Sequence, residues 1–168
     1  MGSSDLVVRD AMPTDAVKCA ALYAPYVAET TVSFEEEPPD AAEMGRRIAA
    51  AQVHHAWLLA ERDGWLVGYA YAGPFRARWA YRHTCEVSVY VDASAHGQGI
   101  GRTLYTVLLD RMRVAGMRLA VGGATMPNDA SERLHRALGF EVVGTFREVG
   151  FKQGRWCDVM WFQKTLVD

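Results

Sequence analysis

The segment that most restricts how this chain can fold runs from Glu86 to Leu104. It reads as an alternating apolar strand, a short loop, the glycines Gly97, Gly99 and Gly101, and then an amphipathic helix. Closely spaced glycines let the backbone bend tightly and approach a ligand, and the first amides of the helix lack intrahelical partners. Those free donors, with the positive end of the helix dipole, outline a cradle for an anion. Glu86 heads the same strand, where a carboxylate has little reason to sit unless it is used. One element thus carries a candidate anion site and a candidate base.

The remaining periodicities predict a mixed fold. Leu6 to Val8 reads as a first strand, followed by the turn residues Pro13, Thr14 and Asp15. A helix then fits, with Val17, Ala20, Ala21, Ala24 and Val27 spaced as its buried face. Thr30 to Phe34 reads as an extended loop stopped by Pro38 and Pro39, and Asp40 with Glu43 matches a capping box for a helix to about Ala51. Trp57–Glu61 and Leu66–Tyr71 form a hairpin around Asp63 and Gly64, closed by Gly73 and Pro74. Phe75 to His83, dense in Arg and aromatic residues, is a loop or ragged helical turn suited to a substrate wall. Glu86–Val91 is a strand, and Ile100–Ala115 a helix with Leu104, Val107, Leu108 and Met112 on one side. Leu119–Ala124 is another strand. A short helix capped by Asn128 or Asp129 ends at Leu138 before Gly139. Phe140–Phe151 and Trp156–Leu166 then make a long hairpin around Gln153 and Gly154. This order predicts an α/β chain with one central, partly antiparallel sheet and helices on its faces.

At 168 residues the chain is expected to form one domain spanning residues 1–168, with Met1 to Ser4 a disordered start. A net charge of −2 and scattered basic residues favour a small-molecule partner over nucleic acid or an anionic membrane. Cys19, Cys85 and Cys157 have no metal-ligand spacing and read as reduced thiols of a cytoplasmic protein. Cys85, beside Glu86, has a second reading as a nucleophile. His54, His55, His83 and His96 form no metal-ligand pattern, and no apolar run approaches a membrane span.

A glycine turn alone also serves plain tight turns. Here it lacks the Lys and Ser/Thr of a P-loop and the βαβ setting of a dinucleotide site. The run His96, Gly97, Gln98, Gly99, Ile100, Gly101 resembles the pyrophosphate loop of the GNAT superfamily of acetyl-CoA-dependent N-acetyltransferases, with His96 in place of the usual Gln or Arg. Asn128 to His135, followed by Leu138, Gly139 and Phe140, resembles that superfamily's Asn-plus-helix signature. Within it the chain is most similar to the phosphinothricin N-acetyltransferases. The residues that carry this likeness include Thr31, Val32, Phe34, Glu37 and Pro38, Gly73, Pro74, Ala77, Arg78, Ala80 and Tyr81, and Gly154, Trp156, Asp158 and Val159. Glu35 and Glu36 depart from the subfamily, which tends to have Arg and Thr there.

The resemblance implies a mostly antiparallel, splayed sheet flanked by helices, acetyl-CoA as cosubstrate, no metal, and an amino-acid acceptor such as phosphinothricin or methionine sulfoximine or sulfone. Acetyl-CoA would be held by Val89, Tyr90, Val91, His96, Gly97, Gln98, Gly99, Ile100, Gly101, Arg102, Asn128 and Ser131. An amino-acid amine is mostly protonated at neutral pH, so a base must remove a proton before attack. Glu86 is assigned that role, and also reads as a strand cap or ion-pair partner. His135 stands where most members place a proton-donating Tyr, and is expected to donate that proton or hold the substrate. It also reads as an ordinary polar-face His. Arg76, Arg78 and Tyr81 suit the acceptor's anionic group. Thr31 would add a hydroxyl and Phe34 an apolar wall. The resemblance further implies a homodimer completed by the first loop and the C-terminal hairpin; Trp156 and Trp161 fit either such an interface or a core. Competing readings are acetylation of another small amine or of a protein N-terminus, and a CoA-binding module without catalysis.

Overall fold

The computed structural model describes residues 5–167, so the expected disordered start lies outside the described residues. Eleven segments repeat in the expected order: β1 Leu6–Asp10, α1 Ala16–Glu29, α2 Ala41–His54, β2 Trp57–Arg62, β3 Trp65–Pro74, β4 Thr84–Val91, α3 Ile100–Val114, β5 Leu119–Met126, α4 Asp129–Ala137, β6 Glu141–Lys152 and β7 Arg155–Thr165. The strands form one seven-stranded sheet in the order β1-β2-β3-β4-β5-β7-β6. All neighbours are antiparallel except β4 and β5, which run parallel.

Strand alternation explains the two apolar layers. In β2, Trp57 and Leu59 face the layer of α1 and α2, where Cys19, Tyr23, Val27, Met44 and Ile48 are buried. Leu58 and Ala60 face the other layer, built on α3 with Ile100, Leu104, Leu108 and Met112. A central strand covered on both faces must be apolar at every position, which is why 57–60 reads as a continuous run.

Some expected boundaries and faces shift. α1 buries Ala16, Cys19, Tyr23 and Val27, while Val17 is 64% exposed and Ala21 is also exposed. Alanines offer too little area to orient a helix. The Tyr23 ring does so, meeting Tyr90 edge-on at 4.8 Å and bonding Ser33 Oγ through its hydroxyl at 2.7 Å. Asp40 does cap α2 by accepting the Glu43 amide, but the capping box is only half made. The Glu43 carboxylate turns outward to Arg46 and Arg47. β4 starts earlier and β5 ends later than their apolar patterns, because neighbouring strands set where pairing stops.

Candidate functional site

Parallel pairing between β4 and β5 lasts only from Thr84–Leu119 to Glu86–Val121. Beyond that pair the strands part. β4 stays paired to β3 as far as Val91, and β5 to β7 as far as Met126, so their facing edges have no sheet partner. The gap between 87–91 and 123–125 continues to the glycine loop and α4 as a cavity of about 570 Å³. An extended ligand bearing amides can bond such an edge as an added strand would.

The glycine loop closes the wide end of this gap. Gly97 and Gly99 have φ of +74° and +78°, and a Cβ at either would meet nothing within 4 Å. Both glycines therefore answer a backbone requirement and leave the space above them open. α3 begins at Ile100, so the amides of Ile100, Gly101 and Arg102 fall in its first turn, free of intrahelical partners. His96 does not add a side-chain donor to this cradle. Its Nε2 lies 3.0 Å from the Val91 carbonyl and 2.9 Å from the Tyr26 hydroxyl, which itself donates to Val91 at 2.5 Å. The ring ties the loop to the end of β4. The Gln98 side chain accepts from Arg62 and donates to the Ser94 carbonyl, which leaves its backbone amide as what it can offer the cradle. Tyr90 contributes backbone, its ring being packed against Tyr23 and Tyr26.

Across the gap, Asn128 caps α4 by accepting the Ser131 amide at 3.1 Å. Its carbonyl oxygen is thus committed to the helix, and only the carboxamide N–H groups remain for a ligand. Ser131 turns its carbonyl to His135, which lies 97% buried and stacked on Phe162 at 4.5 Å. The 2.8 Å contact from Nδ1 to the Ser131 carbonyl places the ring proton on Nδ1. Nε2 is therefore a buried lone pair without a partner among the described residues, and burial pulls the ring's pKa below that of a free imidazole. In this tautomer Nε2 is an acceptor and not a proton donor. A Cβ on Gly122 would lie 2.7 Å from Nε2, so the ring fits only beneath a glycine.

Glu86 sits at the apex where the strands part, opposite Gly73 on β3 and Val121 on β5. Alternation puts its side chain on the α1–α2 face with Ser88 and Tyr90. Partial burial pushes its carboxyl above the usual range. Space beside it is open, since a Cβ on Gly73 would touch nothing within 4 Å. On the same face Trp161 lies across Gly123, 3.3 Å from where a Cβ would be. Trp161 meets Phe75 edge-on at 6.1 Å, and Phe75 meets Tyr81 at 5.7 Å. Phe75 and Trp161 are functional candidates that the sequence reading did not assign; the pairing of a hairpin Trp with a strand Gly is the signal that could have found them.

The expected acceptor residues divide. Arg76 lies over the rings of Phe75 and Tyr81. With Arg78 and Tyr81 it lines a second cavity of about 480 Å³, not the main one. That cavity has Arg82, His54, His55 and His83 in its wall and no carboxylate. Of the expected first-loop residues, neither Thr31 nor Phe34 lines the main cavity, whereas Val32 between them does. The Thr31 hydroxyl accepts from Arg155, and the Phe34 ring lies against Gly150. Glu35 is held by Arg47 at 2.6 and 3.0 Å and by the Tyr23 hydroxyl, which keeps it below the usual carboxylate pKa. Burial pushes the Cys85 thiol up to about 12, which removes its reading as a nucleophile.

Comparison with known proteins gives this geometry a context. The acetyltransferase (GNAT) domain matches residues 8–161. The chain is 45% identical over 162 residues to a phosphinothricin N-acetyltransferase of Alcaligenes faecalis, covering 95% of this chain and 81% of that one. It is 35% identical over 161 residues to an L-methionine sulfoximine/L-methionine sulfone acetyltransferase of Pseudomonas aeruginosa, covering 95% and 94%. Among solved structures, an acetyltransferase from Salmonella typhimurium with its cofactor acetyl-CoA superposes with a TM-score of 0.94 at 33% identity, covering 97% and 95%.

Proposed function

The chain belongs to the acetyltransferase (GNAT) domain family, and from that membership we propose that it moves an acetyl group from acetyl-CoA to the amine of phosphinothricin or a related amino-acid analogue, with Glu86 as the base. The observation that carries this reading is the placement of Glu86. It is a carboxyl of raised pKa at the apex of a gap whose other end is an anion cradle, with open space beside it at Gly73. The names of relatives at 35–45% identity support the substrate class.

Acetyl-CoA, when bound, supplies the acyl group and a thiolate leaving group. The chain's own residues do the rest. The amides of Gly97 to Arg102 would hold the diphosphate, and the open edge of Val87–Val91, with the Asn128 carboxamide, would align the arm. Glu86 accepts a proton from the acceptor ammonium, directly or through water, and its raised pKa brings it closer to the amine's own. Arg76, Arg78 and Tyr81, three to eight residues beyond Gly73, hold the acceptor's anionic end, with Phe75 and Trp161 as the apolar side. Holding the two reactants in line accounts for much of the rate. The acting species is a homodimer in a cytoplasmic setting.

Release of free thiol from acetyl-CoA, measured against a panel of anionic amino acids, simple amines and peptides, tests the reading. Turnover confined to anionic amino acids is expected. Turnover only with peptides or uncharged amines would move the substrate to those classes, and none with any amine would leave a CoA-binding module.

A further inference from the structure

Lys152 is a buried cation that the chemistry above does not use. It ends β6, is 8% exposed, and donates to the Val27 carbonyl and the Ser33 carbonyl, each at 2.7 Å. Its register partner across the hairpin turn is Arg155, the first residue of β7. Arg155 donates to the Thr31 hydroxyl at 3.0 Å. The turn between them is two residues in the left-handed region, Gln153 at φ +52° and Gly154 at +72°. One rigid turn therefore sends two cations into the same loop. A further contact lies two residues earlier: a Cβ on Gly150 would come within 2.3 Å of the Phe34 ring, so that ring is seated where no side chain can stand. Val32, between these tethered residues, lines the main cavity.

Resting on the proposed acetyl transfer to an amino acid, we infer that the β6–β7 hairpin tip is a clasp that sets the acceptor-side loop 31–34, with Lys152 and Gly150 as positioning residues for acceptor binding. Burying an ammonium is costly unless it is well bonded, and here the bonds go to the Val27 carbonyl in the last turn of α1 and to the Ser33 carbonyl inside the loop. Those bonds fix where the loop's backbone runs rather than which side chains it carries. The donor cradle lies on other elements and does not depend on the clasp.

The test uses the full chain with Lys152→Met, Lys152→Arg and Gly150→Ala. Hydrogen exchange should accelerate at the amides of 31–35 in Lys152→Met and stay unchanged at 97–102. In thiol-release kinetics the acceptor KM should rise roughly ten- to a hundredfold, as small displacements of a binding wall do, while the KM for acetyl-CoA holds. Lys152→Arg should recover part of the loss. Gly150→Ala should reproduce the acceptor defect, and adding Phe34→Ala should restore its melting temperature. Unchanged exchange in the loop, or a parallel rise of both KM values, would overturn the clasp. Exchange is read without turnover, so it decides the clasp even if the proposed substrates are not acetylated.

Discussion

Glu86 is the residue on which chemistry and stability pull in opposite directions. Burial raises its pKa in the fold, so the folded chain holds that proton more firmly than the unfolded one. The stability it contributes is full below the unfolded carboxyl value of about 4.3 and is lost as pH rises through the folded value. Glu86→Gln should therefore melt higher than the parent at pH 7, with the gain fading at pH 4, in paired thermal melts. The same variant should lose about 10²- to 10⁴-fold in turnover, and its rate should no longer fall on the acidic side of the pH profile. An unchanged profile would place the base elsewhere. Arg78→Ala should raise the acceptor KM roughly tenfold or more with little effect on acetyl-CoA, because a charged donor to an anion is lost. Equal rises in both would make Arg78 structural. At this scale the sequence was legible where a motif fixed both residue and conformation, as at Gly97 and Gly99. It was not legible where a side chain's contacts come from a distant strand: Arg155 holds Thr31, and Gly150 receives Phe34.

Among the elements, the glycine loop leading into α3 makes the sharpest claim. Gly99 precedes the helix at φ +78°, with nothing near a Cβ. Gly99→Ala should thus cost only backbone strain, about 1–2 kcal/mol for an L-residue in that region. For a chain of this size the melting temperature should drop by several degrees. The KM for acetyl-CoA should rise while that of the acceptor stays put, since the loop faces only the cradle. A clash-driven collapse or an acceptor-specific defect would contradict that account. Elements of strong period were readable from the chain, including the α3 face of Leu104, Leu108 and Met112. The face of α1 was not, because periodicity counts alanine and valine as apolar without weighing the Tyr23 ring and hydroxyl that actually orient the helix.

For the whole molecule, β6 poses the open question of what covers it. It is a twelve-residue edge strand in which only Lys152 is buried, and Phe146, Val149 and Phe151 are each more than half exposed, as is Trp156 beside them on β7. Long apolar edges invite pairing with another chain unless something protects them. A second copy of this chain is the expected cover. Sedimentation at micromolar concentration should show twice the chain mass, and Phe146→Lys combined with Trp156→Lys should give monomers with a raised acceptor KM. A parent protein that sediments at the mass of one chain would remove the dimer from the mechanism.

By itself the sequence determined the order of the elements, the glycine turn before α3 and the presence of a carboxylate in β4, though β4 begins two residues before it. Each of these is written in local periodicity or in the φ that only glycine adopts freely. The tertiary structure decided what the cradle opens onto. Where β4 and β5 part is set by their outer partners β3 and β7, which no local pattern encodes. It also decided that Glu86 stands at that apex and that Arg76, Arg78 and Tyr81 line a recess of their own. Those outcomes depend on pairings between residues tens of positions apart, and spacing along the chain carries no record of them.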